Sequence, residues 1–444
     1  MRARQAFANV RRVNPVLALG LLAFAGLLAT RLPRRPSRRA LHLDLAIAAG
    51  VPLVVVGLVL GPGIELIGRP LLRTLAPVTA FAIGWIGALL GARFEWRYVR
   101  RIPRAVWLLA ATTATAAVVV VALGAWLLAR LVPALATVWT PRLPAVLGLA
   151  AVAAVSGPRV VTAVAQAVGL RGSASRALER AAALETACGT VVMTVPLALH
   201  PSQLGAGNPE LGWVSWIVFA AGCGVLVGLV FLSVTRLRPA REEARLALAA
   251  SMLFGAGIGY ATDLSPFVVC ALAAALIVNA SPRRRQMQTA LAEWERPICA
   301  VCLIIAGALL TLPTVWILAA VPVLSALRIG ARWAGARYAQ VALRLRDVPP
   351  HSGLGTVAQG GTALALGINY FLMYGGRPDA PGRGIGGSGG AGDAAGAVLT
   401  TIVLGIALAQ LAAPTLLQLA GRAVPAPLTP ASAGPELTTN APAG

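Results

Sequence analysis

Apolar stretches, each about as long as a bilayer is thick, fill this sequence from one end almost to the other. A helix needs about 20 predominantly apolar residues to cross the hydrocarbon, and we count about thirteen such stretches. Of the 444 residues, 58% are hydrophobic and only 12% are charged, which excludes a soluble globular fold. The sequence therefore predicts an all-α polytopic membrane protein.

The remaining segments are short and polar. A basic segment, 1–14, precedes the first span, and the tail 422–444, rich in proline, alanine and threonine, is predicted to be disordered. Gly375–Gly396 is predicted to be a flexible loop, whose Gly-x-Gly fragments follow no strand and do not indicate a dinucleotide site. The predicted spans are 15–30, 43–61, 70–92, 104–131, 143–168, 178–199, 211–235, 242–262, 265–281, 296–312, 313–338, 353–376 and 396–421.

The net charge of +23 comes from arginines clustered at the ends of the apolar stretches. Lipid headgroups and the positive-inside rule explain this pattern, so no nucleic-acid partner is predicted. Alternation places the arginine-rich connections in the cytoplasm of a multi-pass cell-membrane protein, with the N-terminus outside and the C-terminus inside. The arginines of segment 1–14 oppose this orientation. The arginine-rich connections are 31–39, 93–104, 171–180, 236–245, 283–296 and 337–346.

The positions of the cysteines and histidines do not indicate a metal or cofactor site. The five cysteines all fall in apolar runs, and the three histidines lie near the ends of spans. Buried cysteines of this kind are small hydrophobic side chains. No nucleophile with a base beside it and no metal-ligand cluster is present, so the sequence predicts neither an enzyme, nor a cofactor, nor a metal site.

Glu185 is the carboxylate that lies well inside a predicted span, in the run Ala-Leu-Glu185-Thr-Ala-Cys-Gly189. An ionised carboxylate in hydrocarbon is costly unless it is paired, hydrated or protonated. Such a residue therefore indicates a functional site, and here it suggests a carrier of protons or cations.

Two spans carry helix-breaking sequences at corresponding places in the two halves of the chain. Ser156-Gly157-Pro158 lies in the fifth predicted span, and Gln359-Gly360-Gly361 lies in the twelfth. Proline removes a backbone donor and disfavours helix in the residue before it. A simple proline kink would explain the first alone. The pair instead indicates the interrupted helices that form transporter binding sites.

Two arginines lie four residues apart in the eleventh predicted span. Arg328 and Arg332 share one helix face. Arg332 could lie deep enough to need a carboxylate or a group of carbonyls as its partner. The alternative is that both side chains extend to the cytoplasmic surface together with Arg337.

The chain resembles the monovalent cation:proton antiporter superfamily, the membrane domain of sodium/proton exchangers and potassium-efflux systems, over about residues 43–421. The matching pieces occur in the family's order. They are Val51-Pro52 to Gly61-Pro62; Phe81-Ala-Ile-Gly84; Ser156-Gly157-Pro158; Leu264-Ser265-Pro266-Phe267; Glu295-Arg296-Pro297 leading to Ala306-Gly307; Gly330-Ala-Arg332-Trp-Ala-Gly335; and Gln359-Gly360-Gly361.

The resemblance implies two inverted repeats of six spans each, 15–199 and 242–421, joined by the linker 200–241 with one span. It also implies a homodimer and crossed broken helices beside the ion site. The family places that site on an Asn-Asp or Asp-Asp pair in the sixth span. Here the chain departs, since alignment on Gly189 puts Glu185 and Thr186 on the two positions, and a shift by one residue puts Glu185 on the Asp itself.

These observations predict a secondary transporter that exchanges Na+ or K+ for protons through one intramembrane carboxylate. The ion and proton site is expected at Glu185, Thr186 and Ser156, with Arg332 and Arg328 as basic partners. Exchange through one carboxylate is expected to be electroneutral, because the same group binds either a cation or a proton. The alternatives are a transporter of the same fold for an anion or organic solute, and a homologue that has lost transport.

Overall fold

The computed structural model describes residues 50–63, 69–140, 142–168, 173–199, 212–236, 240–344, 351–375 and 391–422, with residues 20 and 24 described singly. Helices are the regular structure of these ranges, and no strand occurs within them. Six helices there are long and apolar enough to cross a membrane, and one bent pair would make a seventh. The predicted all-α polytopic architecture is confirmed.

The helices are numbered here in chain order. They are α1 (Val51–Leu58), followed by a π-helical turn at Val59–Gly63; α2 (Arg69–Thr74); α3 (Ala76–Gly91); α4 (Trp96–Val99); α5 (Arg104–Leu131); α6 (Pro133–Val138); α7 (Arg142–Ala154); α8 (Pro158–Val168); α9 (Ser173–Ala198); α10 (Gly212–Thr235); α11 (Arg241–Ala261); α12 (Pro266–Ala280); α13 (Arg284–Glu293); α14 (Glu295–Ala308); α15 (Trp316–Val341); α16 (Ser352–Gly355); α17 (Gly361–Tyr374); and α18 (Ala391–Arg422).

Each predicted span from the second onward overlaps at least one of these helices. The first span, 15–30, lies outside the described residues apart from two single positions, as do the segment 1–14 and the tail after Arg422. The count of about thirteen spans and the division into two repeats therefore stay predictions.

Several helices are shorter than the spans predicted for them. The span 70–92 is divided at Leu75 into α2 and α3, where Pro77 fits the first turn of the second helix. Helices α12 and α14 have 15 and 14 residues, fewer than the roughly 20 of a full crossing.

One boundary of a polar segment was predicted wrongly, and one arginine-rich connection contains a helix. Helix α18 begins at Ala391, so the loop does not extend to Gly396. Ala394, Ala395 and Ala397 are buried, and their packing favours helix here. The connection 283–296 contains α13, whose buried Met287 and Leu291 lie four residues apart on one face of a helix that is otherwise polar.

The two predicted breaks are present, and they cross. Helices α7 and α8 meet at an angle of 40°, and the one-turn helix α16 is separated from α17 by residues 356–360. The Gly157 N–H donates to the Ala358 carbonyl at 2.8 Å. A Cβ on Gly157 would lie 2.7 Å from the Gly360 nitrogen, so a side chain at position 157 would push the segments apart.

The helices around the crossing pack closely. Helix α5 runs beside α15 and α7, and α9 packs on α7 and α8. On the other side of the molecule, α3 packs along α12, where the four-residue spacing of Gly87 and Gly91 lets the two backbones touch. The breaks therefore lie within packed protein, where irregular backbone at membrane depth is tolerated.

The arginine pattern predicts that the connection containing α13 faces the cytoplasm. A cysteine introduced at the exposed Arg285 should react with a membrane-impermeant maleimide only after cells are opened. A cysteine at Asn208, in a connection without arginine, should react in intact cells, and the parent chain gives the background of the native cysteines. Labelling of position 285 from outside intact cells would reverse the predicted orientation.

Candidate ion site at the crossed helix breaks

Glu185 lies in the middle of α9, and its side chain is completely buried beside the crossing. Three hydroxyl groups surround its carboxyl group. Thr113 Oγ1 of α5 lies 2.5 Å from Oε1, Ser156 Oγ of the first break lies 2.5 Å from Oε2, and Thr356 Oγ1 of the second break lies 3.0 Å from Oε1. The carboxyl group therefore contacts both breaks and a neighbouring span at once.

Arg332 forms an ion pair with Glu185. The distance from Nη1 to Oε2 is 2.7 Å, and both side chains are completely buried. The same Nη1 lies 3.0 Å from Thr356 Oγ1. The alternative in which Arg332 extends to the surface is thus excluded. A buried charge pair needs further hydrogen bonds to offset its desolvation, and the surrounding hydroxyls provide them.

The last four carbonyls before the first break are all satisfied. Helix ends leave such groups without intrahelical partners. Gln359 Nε2 donates to Val152 O at 2.7 Å, and Arg332 Nη2 donates to Ala154 O at 2.7 Å. Arg328 donates through Nε to Ala153 O at 2.8 Å and through Nη2 to Val155 O at 3.1 Å. The predicted arginines thus bind the broken end of α7.

The carbonyls of the second break are satisfied in the same way. The Thr356 carbonyl accepts from Ser156 Oγ at 2.6 Å, and the Val357 carbonyl accepts from Arg328 Nη1 at 2.8 Å. The Gln359 carbonyl accepts from Gln410 of α18. With the Gly157 to Ala358 bond, every carbonyl from 356 to 359 has a donor. The crossing is therefore held by specific side chains and is not a loose kink.

The Thr186 hydroxyl does not donate a hydrogen bond to the Glu185 carboxyl group. Its buried hydroxyl is directed at the carbonyls of Ser156 and Ala182. Thr186 thus fastens α9 to the first break. The remaining predicted residues lie at the crossing itself, where Pro158 and Gly361 begin the half-helices α8 and α17 and Gly360 contacts Gly157.

Three residues of this site were not predicted from the sequence: Thr113, Thr356 and Gln410. Threonine in an apolar helix usually bonds to its own backbone, and Thr113 also lies 2.8 Å from Leu109 O. The available signals were weak. They are the Thr112-Thr113 pair within an apolar span and the position of Thr356 just before the second break.

The centre of the molecule carries an excess of positive charge. Among the described residues, the fully or nearly fully buried charged side chains are Arg328, Arg332 and Glu185. Two guanidinium groups against one carboxylate leave one positive charge, which the negative ends of the carbonyl dipoles offset.

Comparisons with known proteins identify the fold. No protein-family model matches the sequence, and no curated protein sequence matches it. Among solved structures, the sodium proton antiporter MjNhaP1 from Methanocaldococcus jannaschii, determined at pH 8, aligns with a TM-score of 0.65 at 15% identity over 92% of this chain and 98% of the antiporter. The chain has this antiporter's fold. A second structure of the same protein, from electron microscopy, aligns with a TM-score of 0.61 at 16% identity over the same shares.

The shared fold extends over nearly all of both chains, which confirms the expected all-α fold with crossed broken helices. The bounds of the two repeats and the homodimer stay predictions. At this identity the likeness concerns the fold, and a fold can host different functions. The roles of individual residues therefore depend on the chemistry of the site itself.

Proposed function

We propose that the chain exchanges a monovalent cation, Na+ or K+, for protons across the cell membrane, and that Glu185 carries both in turn. The observation that supports this most strongly is a completely buried carboxyl group at the crossing of two broken helices, surrounded by hydroxyl and carbonyl oxygens. The fold of a sodium proton antiporter favours a transporter over an enzyme.

The hydroxyls around Glu185 suit both protonation states of the carboxyl group. Ser156 Oγ lies 2.5 Å from Glu185 Oε2 and 2.6 Å from Thr356 O, yet a hydroxyl donates one hydrogen at a time. An ionised Glu185 accepts the hydroxyl hydrogens. A protonated Glu185 donates one hydrogen to Ser156 or Thr113, and that hydroxyl then turns to a carbonyl. The proton can therefore bind and leave without a shift of heavy atoms.

Arg332 supplies the counter-charge when neither substrate is bound. Its guanidinium stays protonated in proteins, so it neutralises the empty carboxylate but delivers no proton. An entering cation must replace this contact at Oε2 and takes its ligands from the nearby hydroxyl and carbonyl oxygens, which Na+ and K+ prefer as hard cations. A proton and a monovalent cation thus compete for the one negative charge of Glu185. One ion is exchanged for the other, so the exchange is electroneutral.

An alternative function follows from the excess positive charge. Arg328 and Arg332 outnumber Glu185 in the buried centre, which would also suit a transporter of an anion or organic solute. We favour cation:proton exchange because both arginines already donate to protein carbonyls and Arg332 is also paired with Glu185. A homodimer, as the resemblance implies, is part of the proposal.

The proposed function is tested in proteoliposomes that contain the purified protein and a pH-sensitive dye inside. An imposed pH gradient should collapse on addition of Na+ or K+, with Li+ as a third cation for selectivity, and should persist with choline. Clamping the membrane potential with valinomycin should leave the rate unchanged if exchange is electroneutral. A gradient that responds to none of the cations would refute the proposal.

A further inference from the structure

A second polar region lies beside the crossed breaks, and Glu185 is not among the residues that line it. A cavity of about 50 Å³ opens between α3, α8, α14 and α17, and it reaches the crossing at Gly157 and Gly360. Its charged lining residues are Arg93, Arg159 and Glu295. A volume of this size holds a few water molecules or one small ion.

The cavity lies at the starts of three helices. Residues of the first turns of α8 and α17, among them Arg159 and Thr362, line it, and α14 begins at Glu295. The N–H groups of a first turn lack intrahelical partners and carry partial positive charge. Gly360, which precedes α17, provides no side-chain cap. Helices α8 and α17 have 11 and 14 residues, long enough for aligned dipoles.

The side chains add more positive than negative charge. Arg159 forms an ion pair with Glu295. Arg93 lines the same cavity, and its guanidinium forms no hydrogen bond or ion pair within 4.0 Å with the residues that the structure describes. Two arginines against one carboxylate leave one positive charge in addition to the helix starts.

Arg93 lies in a poorly solvated place. It follows the end of α3 and is partly buried. Burial lowers its pKa, the negative charge of Glu295 raises it, and the positive charge of Arg159 lowers it further. Arginine remains protonated even so. No described residue accepts a hydrogen bond from this guanidinium, which leaves it available to a ligand in the cavity.

We propose that this cavity binds a small monovalent anion, a halide or a small carboxylate, between Arg93 and the starts of α8 and α17. Arg93 belongs to an arginine-rich connection, as Glu295 does, and the charge pattern predicts that these connections face the cytoplasm. The anion would therefore enter from that side. It would offset the positive charge beside the breaks, and its binding does not depend on the proposed exchange.

The test measures chloride binding to the full-length protein in neutral detergent, through the excess line width of ³⁵Cl in NMR. Sodium is held constant, and gluconate, which is too large for the cavity, replaces chloride in the reference. The parent should broaden the line saturably. Arg93→Gln should weaken binding about tenfold, the size expected for the loss of one charge-assisted hydrogen bond.

Two further variants make the outcome decisive. Glu295→Gln removes the competing carboxylate, so chloride should bind more tightly, whereas loss of folding could only weaken binding. Arg97→Gln, an exposed arginine of α4 outside the cavity lining, should bind like the parent. If added acetate narrows the ³⁵Cl line, acetate displaces chloride and the site also binds carboxylates. If the line width does not change, the site binds halides only. No saturable broadening in the parent, or equal binding by the parent, Arg93→Gln and Glu295→Gln, would overturn the proposal.

Discussion

Replacing Glu185 with glutamine is expected to abolish cation:proton exchange and also to destabilise the protein. Glutamine has nearly the same shape, but it neither releases a proton nor neutralises a cation. The substitution removes the ion pair of Glu185 with Arg332, whose atoms lie 2.7 Å apart. The arginine is then buried without a counter-charge, a change that typically costs about 3–5 kcal/mol. Exchange is measured in proteoliposomes, and stability through the thermal midpoint of the monodisperse protein in detergent.

A second substitution separates the charge from the packing. Adding Arg332→Gln to Glu185→Gln should recover part of the lost stability, because the uncompensated charge is gone, but should not recover exchange.

Glu185→Asp should retain partial exchange. Glu242→Gln, which removes a carboxylate with 84% of its side chain exposed, is the control and should behave like the parent. Exchange at the parent's rate by Glu185→Gln would show that another group carries the proton.

Gly157→Ala is expected to disrupt the crossing of the breaks and to stop exchange. The added Cβ would lie 2.7 Å from the Gly360 nitrogen and 2.9 Å from the Gln359 carbonyl carbon. These are backbone atoms, so no flexible side chain can move aside, and overpacking of this kind costs about 1–3 kcal/mol. The same stability and transport assays measure the effect.

Gly330→Ala is the matched control for this substitution. Gly330 lies on α15 between Arg328 and Arg332, and a Cβ there would meet nothing within 4 Å. Alanine in the interior of a helix is more stable than glycine by about 0.5–1 kcal/mol, so Gly330→Ala should keep exchange and gain slightly in stability. If both variants kept exchange and stability, the close contact at Gly157 would not be needed for function.

The sequence indicated the main features of the site because each one violates a rule of membrane helices. Pro158 interrupts a helix, Glu185 and Arg332 are charges in apolar spans, and the paired breaks fall at corresponding places. These residues are costly unless neighbours compensate for them. Their convergence in the structure follows from that cost.

The sequence did not indicate the compensating neighbours. Thr113 and Thr356 look like ordinary helix and loop residues, since a hydroxyl can bond to its own backbone, and only the arrangement of helices brings them to Glu185. The same holds for α13, which is too polar to be found by apolar length and is recognised only by its buried face. Partners depend on tertiary contacts that no local pattern contains.

The arginine contacts to the broken helix ends also limit how the protein can move. They join α15, the end of α7 and residues 356 to 359, and Gln410 joins α18 to the same group. Separating buried charged groups from their acceptors is costly. Among the described residues, the polar links from this group to its surroundings include the Asn369 to Ser265 hydrogen bond, two hydrogen bonds between Thr400 and Thr311, and the ion pair of Arg159 with Glu295. A change of access is therefore expected to displace the breaks and their arginines as one rigid body, with slippage along the sparsely bonded faces of α17 and α18.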